Sequence, residues 1–180
     1  GDVYVNDAFS AAHRSHASIV GIPKYRPHYA GLLMRDEVRV LQYARRPEFP
    51  SLAILGGAKF ETKEPLVKLL LGAYDRLFLT GALANDVFKA RGLPVGRSLI
   101  SESLPTEDVM AHPHFMAPID VTAERPDGQA KVKKPSEVES DDKIVDIGPD
   151  SVAALAPYIA EAKLNLWNDP TGLYETRYTS

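Results

Sequence analysis

Along the chain, short runs that are nearly all apolar alternate with stretches whose apolar residues recur every three or four positions. The runs at 3–5, 52–55, 76–80, 115–121, 144–147 and 165–167 predict strands, most of them buried on both faces because they lack polar alternation. Between them, Ala30, Leu33, Met34, Val38, Leu41 and Ala44 fall on one face of a helix over 29–45. Thr62 is placed to cap a helix running to Ala73, with Pro65 in its first turn, where a missing N–H costs little. A third helix, 83–90, ends at Gly92. Asp150 or Ser151 caps a fourth, with Val152, Leu155, Ala156 and Ile159 on one face and a kink or loosened turn at Pro157.

Strand alternating with helix predicts an α/β fold, with a mainly parallel, Rossmann-like sheet flanked by helices. The segment from Arg45 to Pro50 contains Pro47 and precedes the regular alternation. The long helix before it is expected to join two domains, the first represented only by the residues up to that helix. The polar stretch 124–142, with Pro126, Asp127-Gly128, Pro135 and Asp141-Asp142, reads as a turn or hairpin excursion.

The 180 residues carry 21 Lys and Arg against 24 Asp and Glu, a formal net charge of -3, and 44% are hydrophobic. Those proportions belong to a folded globular chain rather than a disordered one. No apolar run approaches the ~20 residues of a membrane-spanning helix, and the slightly acidic balance gives no electrostatic footprint for nucleic acid. The lack of cysteine removes disulfides, cysteine-bound zinc and thiol nucleophiles, and is compatible with a reducing compartment. The chain opens on a strand without Met, shows no signal-peptide pattern and stops soon after an aromatic segment, so both ends are expected to be cut from something longer.

Three segments carry candidate chemistry. From Leu52 to Lys59 a strand runs into Gly56-Gly57 and then a helix. At the carboxyl end of a strand in an open α/β sheet, glycines admit a ligand close to the backbone, and a helix start offers free N–H groups. Lys59 and Lys63 are spaced to face one anion. The pattern matches neither common glycine-rich phosphate fingerprint, and a plain turn with two solvated lysines fits it equally. From Val5 to His16 a strand delivers His13 and Arg14, a donor beside a bidentate fork for phosphate or carboxylate. A loop with a structural ion pair is the plainer reading there, and a metal on His13 and His16 lacks a third ligand at a telling spacing. From Leu166 to Glu175 a strand ends in a strong turn, which suits either an ordinary loop or a base or ribose with Glu175 accepting from hydroxyls. Thr80-Gly81-Ala82 and Asp146-Ile147-Gly148-Pro149 repeat the layout, and His112-Pro113-His114 reads as a solvated loop.

Taken in order, Val5-Asn6-Asp7-Ala8-Phe9, Ala12-His13-Arg14 with His16, Ile54-Leu55-Gly56-Gly57-Ala58-Lys59, Asp146-Ile147-Gly148-Pro149 and Trp167-Asn168 resemble phosphoglycerate kinase. The resemblance spans nearly the whole chain but only the middle of the family's longer enzyme. It implies a two-lobed, hinge-closing kinase of glycolysis, monomeric and cytoplasmic in full-length form, with small-molecule substrates rather than nucleic acid or membrane as partners. It also implies phosphoryl transfer between 1,3-bisphosphoglycerate and ADP, giving 3-phosphoglycerate and ATP, with Mg2+ bound through the nucleotide and no metal site of the protein's own. On this resemblance residues 1–28 end the 3-phosphoglycerate lobe, 29–46 form the inter-lobe helix, and 51–180 make most of a C-terminally truncated nucleotide lobe. Carried over position by position, His13 and Arg14 correspond to glycerate-phosphate contacts. Gly57, Ala58 and Lys59 correspond to the nucleotide loop, and Gly81 to a glycine turn that also contacts the nucleotide. Lys63 corresponds to the lysine that steadies the transferring group, a catalytic role shared with Arg14. Asn168, Pro170, Leu173 and Glu175 correspond to residues around the nucleotide's phosphates, base and ribose.

The chain departs from the family pattern in four places. Thr62 stands where an Asp near the nucleotide's metal is usual, Thr80 and Ala82 flank Gly81 in place of glycines, Asp169 replaces a glycine after Trp-Asn, and Ile144 stands where a glycine is common near the base. The family's amino-terminal arginines and its later glycine-rich Asp-Thr loop are absent, so this length of chain is expected to be inactive alone. A non-catalytic α/β module that binds a nucleotide or other anion is the alternative the departures motivate. The lysines near Gly56-Gly57 and the His13-Arg14 corner are expected on facing walls of one cleft.

Overall fold

A computed structural model describes residues 1–174. The chain divides into two compact units, Gly1–Arg46 and a second that begins at Pro47. In the first, β1 (Tyr4–Asn6) and β2 (His28–Ala30) pair in parallel and lead into α1 (Leu32–Arg45). The helix expected from residue 29 therefore starts later, because Tyr29 and Ala30 belong to β2 and pair with Val5 and Asn6. Gly31 makes the corner, where an added Cβ would lie 2.2 Å from the Asp7 carboxyl carbon. That same carboxylate accepts the Met34 N–H at 2.7 Å, so a side chain remote in sequence caps α1. The apolar face read from the sequence is not buried: Leu33, Val38 and Leu41 are exposed.

The second unit contains β3 (Ser51–Leu55), α2 (Phe60–Ala73), β4 (Arg76–Leu79), α3 (Ala82–Ala90), α4 (Glu107–Met110) and β5 (Phe115–Met116). It continues through β6 (Val121–Glu124), β7 (Ala130–Lys133), β8 (Lys143–Ile147), α5 (Pro149–Glu161) and β9 (Leu164–Asn168). One sheet is parallel throughout, in the order β5-β4-β3-β9, and the other is antiparallel, in the order β7-β6-β8. β3 is buried along its whole length, and its side chains divide between two cores because successive residues of a strand face opposite ways. Ala53 and Leu55 pack with Phe60, Val67 and Leu70 of α2 and with Leu83 and Val87 of α3. Leu52 and Ile54 pack with Phe78, with Ile147 of the antiparallel sheet and with Leu155 of α5.

Several local expectations are corrected. The run 115–121 is not one strand. It divides around Pro118, which has no N–H for a ladder, so that β5 joins the parallel sheet and β6 the antiparallel one. The strand expected at 144–147 belongs with β6 in the antiparallel sheet. Thr62 does not cap α2: Lys59 holds the cap position, and Thr62 Oγ1 donates back to the Lys59 carbonyl at 2.8 Å. Pro65 consequently lies inside the helix rather than in its first turn. Neither Asp150 nor Ser151 caps α5, which begins Gly148-Pro149; the Asp120 carboxylate instead accepts the N–H groups of Asp150 at 3.0 Å and Ser151 at 2.7 Å. Of the four apolar positions read onto that helix, Leu155 is buried, while Val152, Ala156 and Ile159 are exposed.

Two turn expectations agree with the structure. α3 ends with Gly92 at φ 75, where the Leu93 N–H reaches the Phe88 carbonyl at 2.9 Å and the Gly92 N–H reaches Lys89 at 3.0 Å. Residues 124–142 contain the turn of the β6–β7 hairpin, at Gly128 with φ 79, and all of β7.

Candidate functional site

Three backbone turns meet at the carboxyl ends of β3, β4 and β9. The Gly56 N–H donates to the Asn168 carbonyl at 2.9 Å, Thr80 to Leu55 at 3.0 Å, and Leu83 to Gly57 at 3.2 Å. A Cβ on Gly56 would lie 2.4 Å from the Pro170 carbonyl oxygen, and one on Gly81 would lie 3.2 Å from the Gly57 nitrogen. Backbone packs on backbone here, and side chains at these positions would force the turns apart.

Beside these turns lies a cleft of about 270 Å³. Gly57, Ala58, Gly81, Ala82, Pro170 and Leu173 line it, together with Asn85, Leu99, Val121, Ile144 and Val145. It is concave and mainly apolar, and glycine backbone forms part of its wall, which suits a flat ring system more than a charged group. Thr171, Gly172 and Asp146 also line it, and a Cβ on Gly172 would come 2.4 Å from the Asp146 carboxyl carbon.

Charge enters next to Gly57. The Lys63 side chain runs against it, with Cε 3.6 Å from where a Gly57 Cβ would be. Lys63 Nζ donates to Asn168 Oδ1 at 2.9 Å and to Asp169 Oδ2 at 2.7 Å. Asp169 has φ 66, a region a non-glycine residue seldom occupies, and the Trp167 Nε1–H donates to its carbonyl at 2.8 Å. Lys59, at the start of α2, is exposed and also left-handed, with φ 65.

Five residues picked from sequence, Gly57, Ala58, Gly81, Pro170 and Leu173, thus line one cleft, and Lys63 meets Asn168 at its edge. Glu175 lies outside the described residues. His13 and Arg14 belong to the first unit, exposed, just after a short 3₁₀ turn over Phe9–Ala11. Among the described residues no group of three His, Asp or Glu side chains could hold a metal ion, so His13 and His16 have no third ligand.

Sequence reasoning passed over Asn85, Leu99, Val121 and Val145 in the cleft lining, and the Lys63–Asp169 pair. One signal was available. Asn85-Asp86 is a polar pair between the apolar pairs Leu83-Ala84 and Val87-Phe88 of a short helix, and all six residues are buried. A buried polar pair of that kind has to be satisfied by something specific.

Comparison with known proteins bears on the same features. The family model described as phosphoglycerate kinase matches residues 1–180. Phosphoglycerate kinase of Novosphingobium aromaticivorans is 39% identical over 191 residues, covering 98% of this chain and 48% of that relative. The enzyme of Caulobacter vibrioides is 39% identical over 186 residues, covering 97% of this chain and 47% of its own. Among solved structures, phosphoglycerate kinase from Coxiella burnetii superposes with a TM-score of 0.84 at 34% identity, over 98% of this chain and 48% of that one. The Pyrococcus horikoshii enzyme gives 0.83 at 25% identity, with the same coverage. The chain spans about half the length of the relatives it matches. Its glycine turns, its lysine-edged cleft and a family match along its whole length agree, and the chain belongs to the phosphoglycerate kinase family.

Proposed function

We propose that this chain supplies most of the nucleotide side of a phosphoglycerate kinase and the end of its glycerate side, in a longer parent protein. The reaction is phosphoryl transfer between 1,3-bisphosphoglycerate and ADP, giving 3-phosphoglycerate and ATP. One observation carries the reading: an apolar cleft built on glycine turns, with Lys63 standing at the glycine where the phosphates of a seated nucleotide would emerge. Phosphoryl transfer asks a protein mainly for positioning and for positive charge around the group in flight.

In this reading Gly57, Ala58, Gly81, Pro170 and Leu173 hold the base and its sugar, and Glu175 binds ribose hydroxyls. Lys59, Lys63 and Asn168 hold the phosphates. His13 and Arg14 bind the glycerate phosphate, and Arg14 with Lys63 offsets charge as the phosphoryl group moves. Magnesium arrives on the nucleotide. Lys59, Lys63, Asn168 and backbone N–H groups offer donors and positive charge that suit an anionic substrate, while among the described residues Asp169 is the carboxylate bonded to Lys63 and Asp146 is a second carboxylate in the cleft lining. The parent is a monomer acting on small molecules in the cytoplasm.

The test is a coupled assay on the full-length protein. Lys63→Ala should lower turnover far more than it raises the Michaelis constant for ADP, because the lysine interacts most strongly in the transition state. Unchanged turnover would remove Lys63 from the chemistry, and the 180-residue chain alone should show no transfer. The Asp169 carboxylate on Lys63 favours a second reading, an anion-binding module without catalysis. That reading predicts ADP binding by the parent with no transfer to 3-phosphoglycerate.

A further inference from the structure

Asp86 is a buried carboxylate that the proposed chemistry leaves unused. Burial pushes its carboxyl above the usual range, with Glu61 adding to the effect, and among the described residues no cation offsets it. A carboxylate held at that cost is expected to have a specific partner. Both its oxygens go to one residue: the Ser101 N–H donates to Oδ1 at 2.8 Å, and the Ser101 hydroxyl donates to Oδ2 at 2.7 Å.

The chain of bonds continues. Ser101 Oγ accepts the Phe60 N–H at 2.7 Å. An ionised carboxylate only accepts, so the Ser101 proton points at Asp86 and the oxygen's lone pairs are left for Phe60. Phe60 opens α2, where the first N–H groups of a helix have no partner within it, and the Lys59 side chain caps nothing. The other end of the same peptide is held as well, since the Lys59 carbonyl accepts from the Thr62 N–H at 3.1 Å and from Thr62 Oγ1 at 2.8 Å. The Lys59–Phe60 peptide is thus pinned at both ends, just where Lys59 takes a left-handed φ of 65. Such a conformation persists only when its surroundings over-determine it.

We propose that Asp86 is a positioning residue for phosphoryl transfer: acting through Ser101, it fixes the Lys59–Phe60 peptide and so aims Lys59 and sets the entry into the helix that carries Lys63. The proposal rests on the reading of Lys59 and Lys63 as phosphate contacts. It assigns a task to α3 and to the Ser101 loop, both remote in sequence from the lysines they control.

The experiment uses the full-length protein that carries this chain, with ADP as the probe. Affinity is read by calorimetry and turnover by the coupled assay, both well below the melting temperature. Ser101→Ala should weaken ADP binding about fivefold and lower turnover about tenfold, the scale expected when a contact group is misaimed by an ångström or less. Ser101→Thr, which keeps the hydroxyl, should stay within about twofold of wild type in both. Asp86→Asn should weaken ADP binding about threefold, because an amide group facing Ser101 reverses the direction of the hydroxyl bond. It gives an independent reading where Ser101→Ala does not fold. Variants that melt earlier but keep wild-type affinity and turnover would overturn the proposal. A wild-type protein that binds ADP without transfer, and loses that binding in Ser101→Ala, would keep the positioning role while ending the kinase reading. A wild-type protein that binds no ADP would end both.

Discussion

Lys63 Nζ lies 2.7 Å from Asp169 Oδ2, and the carboxylate that holds it belongs to a residue with φ 66, directly over Gly57. An anion entering beside Gly57 meets an ammonium that already has a counter-charge. Asp169 stands where the family resemblance leads one to expect glycine, the residue that takes positive φ most easily.

Asp169→Gly should therefore free Lys63 and tighten the binding of ADP or inorganic phosphate several-fold. Folding stability should change little, by about 1 kcal/mol or less, because a partly exposed ion pair is lost while left-handed strain is relieved. Titration calorimetry on the two proteins checks the binding, and urea unfolding checks the stability. Weaker anion binding in the variant would show that the carboxylate assists the ligand instead.

The meeting of the three turns gives a second prediction. Gly56→Ala places a Cβ 2.4 Å from the Pro170 carbonyl, a backbone atom that cannot swing aside. The variant should lose about 1–3 kcal/mol of stability, as overpacked sites do, measured by denaturant unfolding. A ligand seated in the cleft should restore part of the loss by mass action.

Acid and base act oppositely on two buried aspartates. Asp142 is enclosed, which by itself would raise its carboxyl, but Lys133 at 2.6 Å, the Glu139 N–H at 2.7 Å and the more distant Arg125 together hold it below the usual range. Its stabilising effect is present above the unfolded carboxyl range and is lost as pH falls through the lower folded value. Asp86 is raised by burial, so its ionisation costs stability as pH climbs from the unfolded value to the folded one. Urea midpoints followed against pH should therefore show Asp142→Asn flattening the acid-side loss, and Asp86→Asn removing a decline on the other side.

Leu155 is the residue of α5 that reaches the core shared by both sheets, touching the cluster of Leu52, Ile54, Phe78 and Ile147. Leu155→Ala should cost about 2–5 kcal/mol through lost burial and an unfilled cavity. The exposed Val152→Ala, one turn away, should cost about 0.5 kcal/mol or less. Equal losses in the two variants would mean that α5 packs by another face.

Sequence pattern by itself reached the alternation of strand and helix, the buried β3, the Gly92 stop and the hairpin near Gly128, because each follows from spacing or from one residue's backbone freedom. It also marked Gly57, Ala58, Gly81, Pro170 and Leu173, since glycines and turn residues after strands point to a strand-end cleft in this kind of sheet. Pairing was beyond it. Whether β8 lies parallel or antiparallel depends on β6, which is separated from it by a hairpin and a loop. Capping was beyond it too. Thr62 and Ser151 have the right chemistry in the right place, yet the caps come from Ser101 and Asp120, brought near only by the fold. The same holds for Lys63 and Asp169, which lie 106 positions apart. Local propensity is a property of neighbouring residues, whereas a hydrogen bond or ion pair needs an orientation in space, and only the packed sheets supply it.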